Sequence, residues 1–432
     1  METRESDRSA VGGTGGPSRP EHPGDRSART PVRTAVLAGG LLLTALNLRP
    51  GVASIGPVLS SIRDDLGLPA SVASLLTTIP IVAFGAFAFL TPALTRRFGM
   101  HRLLGLTMLA LAAGIALRLQ PSLAGLFTGT VLVGAAIAVA NVVMPAAVKR
   151  DFARQSGLMM GLYSTALFVG AALASGLTAP LASAVGGSWR AALAVWAIPA
   201  IVAFGAVLPQ MVRAPRRDPR TREVADAPSE RGEPTFRALF KDPVAIAVTT
   251  LMGTQSLAYY ACLTWLPTLL QDHGTDQHTA GWLIAYSAFP GIVAALLVPG
   301  MARRMRPTWL PVLLSVLLTG AAYLGLGTAP VAGAYVWMTL LGLGQGAAIS
   351  LSLTYIVLRS PDARHTGHVS TMAQGVGYLF AGLGPVGIGL VHTLTGGWGV
   401  PLLVLGALLL LQLAGGIAAS RDRHVLSPRG PR

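Results

Sequence analysis

Arg49 carries the most demanding chemistry in this chain. It lies in LNLRPG (Leu46 to Gly51), inside an apolar stretch from Val36 to Ile62. A charge at mid-bilayer costs about 2.5–3.5 kcal/mol on insertion scales, so it persists where it faces a bundle interior or a water-filled cavity. No Asp or Glu falls in any predicted membrane core, which leaves Arg49 without an evident carboxylate partner. An unpaired cation at the midplane suits an anionic or strongly dipolar solute. The competing role is structural, a guanidinium tied to backbone carbonyls; the expense of burying it favours solute contact. Pro50 lacks the N–H that the Leu46 carbonyl would accept, and Gly51 permits further distortion. A broken helix beside a charge is the membrane pattern of a binding site.

Other polar residues could join it. Asn47 lies two positions before Arg49. Asn141 and Pro145, four apart, share one helix face, and Asn141 suits either a site or an interhelical hydrogen bond. In GTQSLAYYACLTWLP (Gly253 to Pro267), Gln255, Tyr259 and Cys262 form one stripe, with Ser256, Tyr260 and Thr264 beside it. At least one of Gln255, Tyr259 and Tyr260 is expected to face the cavity as a neutral donor. Gln345, in a helix with Ser352 and Tyr355, and Gln374, four residues before Tyr378, either line the path or tie helices together. Trp265 is expected as an interfacial anchor. Cys262, the single cysteine, allows no internal disulfide and reads as a small apolar filler. Candidate gates or hinges are the charges at helix ends (Arg96, Arg97, Lys149, Arg150, Arg303 and Arg304) and the prolines Pro50, Pro145 and Pro385. The charges serve equally as topogenic anchors, and Pro385 equally as a packing kink.

Several function classes drop out. No nucleophile–base set can be placed, His273, His278 and His392 have no metal spacing, and no glycine loop with lysine offers to hold ATP. Neither a cofactor nor a metal is expected. Proton symport lacks its usual buried carboxylate; uniport, anion exchange or a proton bound together with the solute stay open.

These residues are positioned by a membrane scaffold. The chain has 432 residues, 52% hydrophobic and 12% charged, with a mean hydropathy of +0.58, where globular domains carry about 25% charged residues. Twelve apolar runs recur, near 34–62, 70–94, 102–119, 122–149, 156–185, 190–211, 243–270, 279–302, 308–328, 331–359, 366–393 and 398–419. Each spans about 30 Å of hydrocarbon. The fold class is therefore all-α, with twelve transmembrane helices. The net charge of +15 does not point to nucleic acid. Of the 33 Lys and Arg, all except Arg49, Arg63, Arg118 and Arg190 fall on one side, which the positive-inside rule makes cytoplasmic. Both termini then lie in the cytoplasm of a multi-pass protein of the cell membrane.

The runs divide into a cytoplasmic tail (1–33, polar and disordered rather than a signal peptide), a six-helix bundle (34–212), a charged loop (213–242), a second bundle (243–419) and a C-terminal tail (420–432). The bundles echo one another. Pro57 and Pro80 recur 210 residues on as Pro267 and Pro290, Arg150 and Trp189 recur 209 residues on as Arg359 and Trp398, and Arg96-Arg97 recurs 207 residues on as Arg303-Arg304. The near-constant offset marks a duplicated unit, so the bundles are pseudo-symmetric with a site between them near the midplane, as in the major facilitator fold. Gly125 and Gly129, Gly157 and Gly161, and Gly342 and Gly346 are spaced for close helix packing.

The chain resembles the cyanate and 2-nitroimidazole transporter branch of the major facilitator superfamily. The resemblance rests on LNLRPG (46–51) leading into GPVLSSIRDDLGL (56–68), NVVMPAAVKRDF (141–152), GLYSTALFVGAALASG (161–176), TQSLAYYACLTWLP (254–267), MAQGVGYLFAGLGP (372–385) and LTGGW (394–398). It covers 34–419 and neither tail. One departure matters: the wider superfamily has an acidic residue after its second helix, in GxLxDRxGRR, where PALTRRFGMHR places Arg96. The charge-pair gating proposed for that acid cannot operate in the standard way. The glycine-proline motif of drug–proton antiporters is missing from LFVGAALASGLTAP (167–180). The resemblance implies secondary transport of a small anionic or polar organic solute, cyanate-like in class, by alternating access; the expected partners are that solute and the lipid bilayer, and a monomer is expected because one chain supplies both halves of the pathway. One rival is efflux of drug-like aromatics such as nitroimidazoles, through a wide apolar cavity. Another is a non-transporting membrane sensor or scaffold, which would be expected to carry an added folded domain.

Overall fold

The computed structural model describes residues 31–213 and 235–427. The expected tail, most of the inter-bundle loop and residues 428–432 lie outside the described residues. The helices are α1 (Pro31–Asn47), α2 (Pro50–Ala53), α3 (Leu59–Leu66), α4 (Ala70–Ala88), α5 (Thr91–Phe98), α6 (Met100–Leu117), α7 (Leu123–Asp151), α8 (Ser156–Ala184), α9 (Trp189–Val195) and α10 (Ala197–Arg213) in the first half. The second half holds α11 (Phe236–Leu239), α12 (Pro243–Asp272), α13 (Gln277–Arg304), α14 (Leu310–Thr328), α15 (Ala334–Leu358), α16 (Ala363–Ala381), α17 (Leu383–Thr395) and α18 (Gly399–Ser420). Among the described residues there is no strand.

Among the described residues, ten helical stretches are long and apolar enough to cross a membrane, and α4 with α5, bent by 61°, adds an eleventh. Helix α12 is 30 residues long and reaches about 45 Å; its Thr, Gln, Ser and Tyr side chains keep it out of the apolar set. With it the crossings are twelve. Caps fix where they start. Asp242 accepts from the backbone N–H of Val244 and Ala245 at 2.9 and 2.8 Å, with Pro243 at the first helical position of α12. Asp276 and Asp362 do the same for α13 and α16, and Ser122 for α7.

The repeat has a structural counterpart. The Trp189 indole donates to Asp65 at 3.1 Å, at the far end of the first crossing. The Trp398 indole donates to Asp272 at 2.8 Å, at the far end of the seventh. Two tryptophans paired in sequence thus close equivalent ends of the two bundles.

The two ends of the described chain lie on one side. The Val425 N–H donates to the Arg359 carbonyl at 2.8 Å and the Leu426 N–H to Asp242 at 2.9 Å, while Gln210 at the end of α10 donates to the Val36 carbonyl at 3.3 Å. On this termini side a single apolar cluster runs through both halves, from Leu104, Met144 and Tyr163 to Leu251, Tyr355 and Met372. On the far side the core is two separate clusters, one around Ile55, Leu76 and Trp189, the other around Leu266, Leu283 and Trp398. The halves are joined through the termini-side cluster and again where Phe168 on α8 meets Ala295 on α13 and Ile349 on α15. Outward-facing Ile198, Leu324, Leu394 and Leu410, each more than half exposed, form the belt that lipid covers.

Without a hydrophobic gain between helices in lipid, closeness of backbones supplies the contact energy. Gly342 shows how tight the fit is: a Cβ there would run into the Ser287 carbonyl. That atom is backbone and cannot swing aside. Gly342→Val is expected to cost about 2–3 kcal/mol, read as a drop of several degrees in the apparent melting temperature of the purified protein. An unchanged melting curve would show that α13 and α15 can part freely.

Candidate functional site

The first crossing is not a continuous helix. Helix α1 stops at Asn47, Arg49 takes φ −109° and ψ −37°, and α2 restarts at Pro50. Pro50 is the cause, since it withholds its N–H from Leu46. Gly170 on α8 lets that helix close on the freed Leu46 carbonyl, which a Cβ would strike. The break throws the Arg49 side chain across to the second half, where Nη1 donates to the Tyr260 hydroxyl at 3.1 Å.

Tyr260 stands edge-on to Tyr259, with ring centroids 5.3 Å apart. Tyr378 on α16 and Tyr163 on α8 come within electrostatic reach of the guanidinium. Phe84 on α4 meets Tyr378 edge-on at 5.4 Å. Arg49 is thus ringed by four phenols from three helices. Tyr163, Tyr260 and Tyr378 are buried, but Arg49 keeps partial exposure, so the charge borders free volume. The described aspartates sit at helix ends and none enters this ring. A fixed positive charge with neutral hydroxyl donors and aromatic faces can hold a small planar anion or a strong dipole.

A polar layer closes the ring toward the termini side. The Tyr163 hydroxyl donates to Asn141 Oδ1 at 3.1 Å, and Gln374 Nε2 donates to the Asn141 carbonyl at 2.9 Å and to Ser370 at 2.8 Å. Asn141 Nδ2 and Gln374 Oε1 are buried with no protein partner. Asn141 and Gln374 therefore link the halves one step below Arg49.

The structure does not bring every expected residue to this ring. Asn47 turns away: its amide donates to the carbonyls of Leu43 at 2.8 Å and Pro199 at 3.1 Å, tying α1 to α10. Gln255 is buried within the second half, donating to Ser256 at 2.7 Å and to the Met252 carbonyl at 3.2 Å. Gln345 belongs with Cys262 and Tyr323, whose side chains lie 3.4 Å apart, and its Nε2 has no partner. The Trp265 indole donates to the Pro385 carbonyl at 2.6 Å.

The expected gates lie on the termini side. Lys149 Nζ donates to the Val357 carbonyl at 3.2 Å, and Arg303 to the Arg154 carbonyl at 3.2 Å, both across the halves. Arg96, Arg97, Arg150 and Arg304 are exposed. Pro145 sits inside an unbroken α7, and Pro385 lies in the first turn of α17, which follows α16 after Gly382 in the helical region at φ −61° and ψ −22°.

Two residues escape a sequence reading. Tyr163 stands alone as the tyrosine of the first half, and that isolation was its signal. Arg118, one of the four basic residues outside the one-sided set, is buried at 1% exposure. Its Nη1 donates to the Gly51 carbonyl at 2.6 Å and its Nε to Thr130 at 3.2 Å. It lies just past the end of α6, close enough to the bundle for its long side chain to reach inward, and the broken helix supplies the acceptor.

Comparison with known proteins fits this architecture. The family profile of the Major Facilitator Superfamily matches residues 41–385 and 259–424. The chain is 36% identical to the uncharacterized transporter YycB of Bacillus subtilis over 391 residues, covering 90% of this chain and 94% of that one. It is 35% identical to the 2-nitroimidazole transporter of Escherichia coli, covering 90% and 96% of the two chains. It is 31% identical to the cyanate transport protein CynX of Escherichia coli, covering 83% and 90%. The fold is shared with the Escherichia coli fucose:proton symporter FucP at a TM-score of 0.67, with 12% identity over 89% of this chain and 98% of that one. The chain is a membrane-embedded secondary transporter of small solutes, not an enzyme, and belongs to the Major Facilitator Superfamily, in the branch of the cyanate and 2-nitroimidazole transporters.

Proposed function

We propose that the transported solute is a small planar anion or strongly polar organic molecule held by Arg49 between the two bundles. The observation that carries this reading is the Arg49–Tyr260 hydrogen bond of 3.1 Å, which joins the halves at a cation with no carboxylate among its neighbours. A solute seated there touches both bundles, so its binding is coupled to their rocking. The name of the cyanate relative, an anion transporter, supports the charge assignment. Arg49 with Tyr259, Tyr260, Tyr378 and Tyr163 forms the contact set. Asn141 and Gln374 form the barrier, and Lys149 and Arg303 the termini-side closure. Asn47, Gln255 and Gln345 serve as helix ties. The two bundles, 34–212 and 243–419, move against each other within a monomer whose termini face the cytoplasm.

A second reading, transport of neutral nitroaromatics, draws on the aromatic wall of four tyrosines and Phe84 and on the name of the nitroimidazole relative. Proteoliposomes decide between them. Counterflow of labelled cyanate, competed by other small anions and insensitive to 2-nitroimidazole, is expected. Counterflow of 2-nitroimidazole with no response to anions would replace the anionic assignment with the second reading.

Tyr260→Phe removes the hydroxyl that receives Arg49 and leaves the ring. With about 1–1.5 kcal/mol at stake, KM for the anion is expected to rise about fivefold to tenfold with little change in melting temperature. An unchanged KM would remove Tyr260 from the site.

A further inference from the structure

The loop between the bundles ends in a packed element. Thr235 Oγ1 accepts from the Ala238 N–H at 3.2 Å and starts α11, which hands over at Asp242 to α12. Leu239 on α11 is fully buried in the apolar cluster that joins the halves, and Phe236 packs against the same cluster. The Phe236 ring touches both bundles at once. It meets Phe89, at the bend between α4 and α5 in the first half, edge-on with ring centroids 6.1 Å apart. It meets His368, on α16 in the second half, at 5.9 Å. Aromatic pairs attract in such arrangements at about 4.5–7 Å between centroids. Phe89 in turn lies on Gly375, where a Cβ would run into its ring. Gly375 follows Gln374, so the stack stands beside the layer that closes the path. The C-terminal segment braces the junction from behind: the Leu426 N–H donates to Asp242 at 2.9 Å, and Val425 is buried in the same cluster.

A connector that only has to link two bundles gains nothing from an aromatic ring set between them. Rocking that opens the termini side parts α4 from α16, and Phe236 cannot then keep both ring contacts. Contacts made in one state alone bias the equilibrium toward that state. We propose that Phe236 is a latch: it holds the termini side closed, and each transport cycle withdraws it from between Phe89 and His368. Helix α11 runs on into α12, one unbroken helix that carries Tyr259 and Tyr260, so movement at the solute wall reaches the latch along a rigid element. The latch is separate from the polar closure by Lys149 and Arg303, and it acts whatever solute Arg49 holds.

The test uses the full chain with Cys262→Ser, which removes the native thiol, and Ser370→Cys as reporter. Ser370 is fully buried and bonds Gln374 from the termini side, so a maleimide reaches a cysteine there when that side opens. The alkylation rate then follows the open fraction. Phe236→Ala is expected to raise it about tenfold. Phe89→Ala acts in the same direction, and the two together add little beyond either, as one shared contact requires. Phe240→Ala, which removes an exposed ring just past α11, is expected to leave the rate unchanged. In a parallel preparation that keeps Cys262 and Ser370, the buried native thiol reports loss of fold and is expected to stay unreactive. Should Phe236→Ala expose Cys262 as well, Phe236→Leu, which keeps apolar bulk and removes the ring, carries the same reading with a smaller rise. The proposal is overturned if neither Phe236 variant speeds alkylation with Cys262 still protected, or if Phe240→Ala speeds it equally.

Discussion

Arg49→Ala is expected to abolish transport in proteoliposomes while the purified protein melts within a few degrees of wild type. Two terms set this outcome. Losing a charged, partly desolvated contact to an anion costs about 2–5 kcal/mol of binding, a drop of roughly 30-fold to several thousandfold in affinity. Losing the same residue from the fold costs little. No carboxylate is left orphaned, the Tyr260 hydroxyl keeps access to the free volume that Arg49 borders, and the desolvation of a lone cation is relieved. Arg49→Lys keeps the charge but not the planar fork, so it restores only part of the rate. Uptake of labelled anion and a thermal scan on the same preparation separate the roles. Normal uptake by the alanine variant would falsify the assignment of Arg49 to the solute. Parallel loss of uptake and melting temperature would make it a structural residue.

Arg49 was legible because its cost is local: a charge in an apolar run needs a reason that can be stated without knowing the fold. The repeat was legible for a related reason, since Trp189 and Trp398 keep both their spacing and, as the structure shows, their aspartate partners. The phase of the inner helices was not. Nearly all of Val244–Cys262 in α12 is buried, so burial on every side erases the stripe that would tell which face meets the cavity. Gln255 and Tyr260 look equally placed in sequence, yet one turns into its own bundle and the other reaches Arg49. Asn47 turns its amide to α10 for a related reason, since a polar group near a break can serve the neighbouring helix as well as the cavity. On the termini side the arginines are visible in sequence as a charge asymmetry. Which residues they then meet depends on the folding of α5, α7 and α16 against each other, which no single segment encodes.

Arg118 is the sharper contrast with Arg49, because it has the same chemistry and the opposite expectation. Its guanidinium is sealed and holds the Gly51 carbonyl in the short helix that follows the break, two residues from Arg49. Arg118→Ala leaves that carbonyl and the Thr130 hydroxyl without their donor and opens a cavity where a large side chain was. The unsatisfied acceptor and the void together cost about 3–5 kcal/mol, reduced in part by relief of burying a lone charge. The variant is therefore expected to melt several degrees lower and to transport slowly, since the backbone that aims Arg49 is no longer pinned. Arg118→Gln keeps one donor toward Gly51 and is expected to recover part of both properties together. The diagnostic is the pairing of readouts: Arg49 variants lose transport alone, Arg118 variants lose transport and stability in proportion. If Arg118→Ala melts like wild type and transports normally, the guanidinium does not pin the break, and the aim of Arg49 must come from Pro50 and the close approach of α8 at Gly170.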